Sequence, residues 1–81
     1  MKTYNGHRSW NAWNVSLWIS NTEATYNYAL HCLKETTFHG IQSAGRATTE
    51  FMRAYPNART PDGAIYNHLS VKLCLQGFIK D

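Results

Sequence analysis

Charge is what this chain has least of. Charged residues fill 16% of its 81 positions, against roughly 25% in soluble domains. Asn, Thr and Ser take their place, neutral side chains that hydrogen-bond locally. The carboxylates are Glu23, Glu35, Glu50, Asp62 and Asp81 alone, too few for a protein that imitates DNA by covering itself in acid. Eight Lys and Arg bring the net charge to +3, which permits contact with nucleic acid or an acidic protein face and demands neither.

Cysteine is scarce as well. Cys32 and Cys74 stand far apart with no CxxC, which favours two reduced, buried, small apolar side chains over a disulfide. No apolar run approaches the ~20 residues of a membrane span. The opening residues Met1 to Arg8 lack the apolar stretch of a secretory signal. These lacks set the expectation of a cytoplasmic protein without a membrane partner, built as one small domain over residues 1–81.

Catalytic patterns are missing too. There is no GxSxG, no phosphate-cradling GxxxxGK[ST] and no HExxH. The histidines His7, His31, His39 and His68 do not fall at metal-ligand spacing. A set such as Cys32, His39 and Cys74 can be drawn, but nothing in the spacing asks for it. The expectation is a non-enzyme with no cofactor and no metal.

What is present is aromatic. Trp10, Trp13 and Trp18 are all the tryptophans, within nine residues. Indoles bury large apolar areas and seek partners for their N–H, so a dense packing node is expected there, served by interleaved Asn and Ser. Ser9 can cap a helix over this run. Trp10, Trp13 and Leu17 would share one face, while Val15 and Ile19 lie on a second. The alternation Trp13-Val15-Leu17-Ile19 also fits a strand, but helix is preferred.

Asn21 or Thr22 can cap a second helix, with Glu23 in its first turn where the dipole favours negative charge. Its expected inner stripe is Tyr26, Ala29, Leu30 and Leu33, and it ends near Thr36-Thr37 or at Gly40. A third stripe, Ile41, Ala44, Thr48, Phe51, Met52 and Tyr55, is the cleanest in the chain, and Pro56 stops it. Thr60-Pro61-Asp62-Gly63 is a turn in which Asp62 can close the loop with its side chain. Ala58 to Thr60 and Ala64 to Tyr66 can pair around it as a very short hairpin. Asn67 or Ser70 can open a last helix, weakened by Gly77, with Leu75, Phe78 and Ile79 closing the core. The fold class expected is mainly α: a compact domain of three to four helices, with that hairpin near residues 58–66. Asn5-Gly6 marks a turn before the first helix.

Tyr4-Asn5-Gly6 followed by Trp10-Asn11-Ala12-Trp13-Asn14-Val15-Ser16-Leu17-Trp18-Ile19-Ser20-Asn21, with Thr60-Pro61-Asp62-Gly63 downstream, resembles a largely uncharacterised group of small proteins of bacteriophages and other mobile elements. The resemblance covers about a quarter of the chain and implies a mobile-element context. Small phage proteins of this kind often act by binding a host machine, including defence systems such as CRISPR effectors. The Ala64-Ile65-Tyr66-Asn67-His68 segment departs from the acidic or Asp-Pro continuation usual in the group.

Three Trp, five Tyr and four Arg form the palette that protein interfaces favour. Tyr28, Tyr55, Tyr66 and one face of the first helix exceed what so small a core is expected to hide. The leading expectation is therefore an anti-CRISPR-like inhibitor, a monomer or homodimer in the host bacterial cell, that blocks a host defence complex by direct contact. Arg46, Arg53, Tyr55 and Arg59 are its candidate contact residues, grouped around the outer side and end of the third helix. The alternative is a small nucleic-acid-binding accessory protein using the same arginines.

Overall fold

The computed structural model describes residues 9–79, and the Asn5-Gly6 turn lies outside them. Four helices follow one another: α1 (Trp10–Asn21), α2 (Glu23–Glu35), α3 (Ala44–Ala54) and α4 (His68–Gln76). Among the described residues, the β structure amounts to two isolated bridges, Phe38 with Ile41 and Arg59 with Ile65. The mainly-α class holds, and the short pairing around the Thr-Pro-Asp-Gly turn is present.

Three helices start on a side-chain cap. Ser9 Oγ accepts from the Ala12 N–H at 3.1 Å, Ser43 Oγ from Arg46 at 3.3 Å, and Asn67 Oδ1 from Ser70 at 2.8 Å. Each cap satisfies a first-turn donor that the helix itself leaves free. α2 differs. Thr22 occupies its N-cap position, but the hydroxyl makes no capping bond. Thr22 instead joins the two helices in extended conformation, its N–H closing α1 on the Trp18 carbonyl at 3.1 Å. The Thr25 hydroxyl then donates to the Ile19 carbonyl at 3.2 Å and fastens the corner.

α1 packs against α2 and α4, and α3 packs against α2 and α4. Asn11 bonds Ser70 near the two helix starts, and the Cys74 thiol lies with Ser16 and Ser20 further along, so α1 and α4 run side by side in the same direction. Small residues set this approach. Indoles at Ser16 or Ser20 would hold α4 away.

That geometry overturns the expected centre. Val15 and Ile19 are fully buried, whereas Trp10 is 40% exposed and Trp13 and Trp18 are half-buried. The middle of the molecule is Phe51, fully buried, with Tyr55, Tyr28 and Tyr66 around it at ring separations of 4.9, 5.6 and 6.2 Å. Tyr66 is buried, while Tyr28 and Tyr55 are half-buried: all three pack on Phe51, and only Tyr28 and Tyr55 keep part of their surface in solvent.

α2 is turned relative to its expected stripe. Thr25, Ala29, Cys32 and Leu33 face inward, and Tyr26 and Leu30 lie near the rim, more than a third exposed. The smaller side chains sit under α3, where Ala44 and Ala47 are also buried. Ile41 lies outside α3 and is exposed. Gly77 follows α4 as its C-cap and so does not weaken the helix interior. Among the described residues, no helix is long and apolar enough to cross a membrane.

Candidate interaction surfaces

The four candidate contact residues do not play one part. Arg46 and Arg53 stand seven positions apart on α3, hence on one side and about 10 Å apart along the axis. Arg46 is occupied at the start of the helix: Nε donates to the Thr36 carbonyl and a terminal nitrogen to the Ile41 carbonyl, both at 3.0 Å. Arg53 points into solvent with 77% of its side chain exposed, and Glu50 approaches it at 4.0 Å. A pair so exposed contributes well under 1 kcal/mol. Tyr55 closes α3 and stacks on Phe51 with its edge left half-exposed. Arg59, exposed beyond the Pro56-Asn57 turn, donates to the Gly63 carbonyl at 3.3 Å. Arg53 and Tyr55 therefore share the C-terminal end of α3, Arg59 is tied to the hairpin, and Arg46 serves the opposite end.

A second constellation joins the Trp run to the Thr-Pro-Asp-Gly turn. Asn11, Asn14 and Trp18 share one side of α1 through their i, i+3, i+7 spacing. The Asn11 amide donates to the Ile65 carbonyl at 2.9 Å and accepts from the Ile65 N–H at 2.7 Å, reproducing a strand-like pair with the hairpin. Asn14 Nδ2 and Trp18 Nε1 both donate to Asp62 Oδ2, at 2.8 and 2.9 Å. The Thr60 hydroxyl donates to Asn14 Oδ1 at 2.6 Å and accepts from the Ala64 N–H at 3.0 Å. Asp62 does not close its own turn, as the sequence suggested. Thr60 does so, and its carbonyl receives the Gly63 N–H at 2.8 Å. The amide of Asn14, then the indole of Trp18, holds the Asp62 carboxyl below the usual range.

A third feature escaped the sequence reading. Phe38 and Ile41 exchange both backbone hydrogen bonds, at 3.0 and 2.9 Å. Between them His39 and Gly40 take φ of 51° and 75°, the left-handed pair of a two-residue hairpin turn. Residues directly opposed in an antiparallel pair project to the same side. Phe38 and Ile41 do so while remaining 63% and 66% exposed. The His-Gly pair between two apolar residues was the available signal, since both residue types tolerate positive φ. By its spacing alone Gly40 suggests only a helix end.

Among the described residues, no three His, Cys, Asp or Glu side chains gather as an ion-holding group. Cys32 and Cys74 are free and buried, and burial pushes both thiols up. Comparison with curated proteins and with solved structures gives no match. The model of one family of unknown function, DUF7249, matches residues 1–81, and the chain belongs to that family.

Proposed function

We propose that this is a non-enzymatic, phage-encoded binding protein that inhibits a host defence complex, anti-CRISPR-like, by covering part of its surface. The observation that carries the protein-binding part of this reading is the end of α3. There Arg53 carries its guanidinium into solvent two residues before Tyr55, a half-exposed ring stacked on Phe51. Arg and aromatic residues are the types that anchor interfaces, and a ring already packed on Phe51 has little side-chain entropy left to lose on binding. Arg59 extends this surface from the hairpin. Arg46 supports it only indirectly, through the chain between α2 and α3. The host setting rests on the resemblance of the Trp run and the Thr-Pro-Asp-Gly turn to small phage proteins, and with it goes a cytoplasmic site of action.

A pull-down of tagged protein from host lysate, with and without nuclease, tests the reading. A stoichiometric protein partner that survives nuclease, and is lost with Arg53→Glu plus Arg59→Glu, supports it. The second reading, nucleic-acid binding, is favoured by the same exposed guanidiniums. It requires a steep linear fall of log affinity with log salt, whereas a protein interface anchored by an aromatic responds weakly.

A further inference from the structure

We propose that Asp62-Gly63 is a backbone isomerisation site, and that the hydrogen bonds from α1 keep it shut. The inference is independent of what the protein binds.

The reactive pair is written in the sequence. Asp62 is the chain's one aspartate followed by glycine, and glycine has no Cβ to hinder attack by its own nitrogen. In the reaction the Gly63 nitrogen bonds to Cγ of Asp62, and the carboxyl OH leaves with the amide proton as water. A five-membered succinimide results, and water reopens it at one of two carbonyls. Breaking the new N–Cγ bond restores aspartate. Breaking the older bond, from that nitrogen to the main-chain carbonyl carbon of Asp62, leaves the chain running through Cγ. That product is isoaspartate.

Burial does not protect this bond, since both residues are exposed. Hydrogen bonding does. Asp62 Oδ2 is anchored on α1 by Asn14 Nδ2 at 2.8 Å and Trp18 Nε1 at 2.9 Å. Closing the ring turns the carboxyl back onto its own chain, and both bonds must break first. The nucleophile is engaged as well. The Gly63 N–H, whose proton has to leave before attack, donates to the Thr60 carbonyl at 2.8 Å. The α1 donors also favour the carboxylate and hold its pKa below the usual range, so the protonated form that can lose OH is scarce.

Both reacting groups are thus held in their unreactive state by one turn and one side of one helix. The pair becomes reactive when the turn leaves α1, a local opening that does not require the rest of the fold to melt. Isoaspartate lengthens the main chain by one carbon and draws the carboxylate in to Cα. The two donors of α1 then lose the oxygen they held, and the opening becomes irreversible.

The test incubates the full-length protein for weeks at neutral pH and measures isoaspartate at position 62 by peptide mapping. Cleavage after Arg and Lys places Asn5-Gly6, which forms isoaspartate by deamidation, in a different peptide. The native protein should isomerise slowly and the chain in denaturant rapidly. Trp18→Phe removes one donor and should raise the native rate about fivefold, with circular dichroism unchanged. A benzothiophene analogue of tryptophan at position 18 keeps the shape without the N–H, and decides the matter if Trp18→Phe does not fold. Leu30→Ala, on the rim of α2, should leave the rate at the native value. Equal rates in native and denatured protein overturn the proposal, as does a native rate untouched by loss of the indole N–H. Equal acceleration by Leu30→Ala also overturns it, because global unfolding would then control the bond.

Discussion

Asp62 accepts the Trp18 indole N–H at 2.9 Å on the same oxygen that receives the Asn14 amide at 2.8 Å. One carboxylate oxygen thereby ties the first helix to a turn 44 residues away. Asp62→Ala should lower the melting temperature and shift Trp18 emission to longer wavelength as its indole is released to water. Unchanged emission and melting would mean that the contact contributes nothing in solution.

The same carboxyl makes stability acid-sensitive. Asn14 and Trp18 depress its folded pKa, while the unfolded chain titrates near ~3.9. A depressed folded value means a contribution fully present above that range and lost as pH falls through the folded pKa. The stability gap between wild type and Asp62→Asn should therefore be constant near neutrality and shrink below about pH 4. Urea melts across pH 3 to 7 (about that range is enough) read it directly, and a gap that does not change removes the charge from the account.

Thr60→Val should cost about 1–3 kcal/mol. Asn14 is buried, and Thr60 supplies the donor to its Oδ1 as well as the acceptor for Ala64. Valine keeps the shape and leaves both groups unpaired. Thr60→Ser should recover most of the loss in the same denaturant melts.

Truncating the aromatic centre should hurt more than truncating the most conspicuous residue of the sequence. Phe51→Ala is expected to cost ~3–5 kcal/mol, because the side chain is fully enclosed. Trp10→Ala should cost markedly less, since much of that indole already faces water. Equal losses by thermal unfolding would return the tryptophans to the core.

Both thiols should resist alkylation until the protein opens. Cys32 and Cys74 are buried, and burial raises their pKa, so little thiolate is present to react. Iodoacetamide labelling at neutral pH should be slow in buffer and rapid in denaturant. Fast native labelling of Cys74 would place α4 away from Ser16 and Ser20.

Helix positions were legible in the residues because the local signals were strong. Ser9 and Asn67 announce starts that the backbone uses, and Pro56 follows the end of α3, whereas the Ser43 cap lies inside a stripe expected to begin at Ile41. Which face of each helix turns inward was less so. The size of a side chain says how much burial is worth, but the partner helix decides whether it fits. Ala29 and Cys32 win the inner face of α2 over Leu30 for that reason, as Ser16 and Ser20 allow α4 onto α1. The candidate contacts were legible by composition only. Nothing local separates Arg46, turned onto two carbonyls, from Arg53, which is free in solvent apart from Glu50. Phe38 carries no periodic signal, and helical spacing puts Ile41 on the α3 stripe although it belongs to the two-residue turn before that helix.

The side-by-side course of α1 and α4 sets the order in which the chain can fold. Residues through Pro61 already contain α1, α2 and α3, yet the buried amide of Asn14 and the inner side of Val15 and Ile19 wait for Asp62, Val71, Cys74 and Leu75. Closing so long a loop comes before its contacts reward it. Shortened chains that stop before α4 should therefore be collapsed at best, and the protein becomes a defined shape only when its last helix arrives.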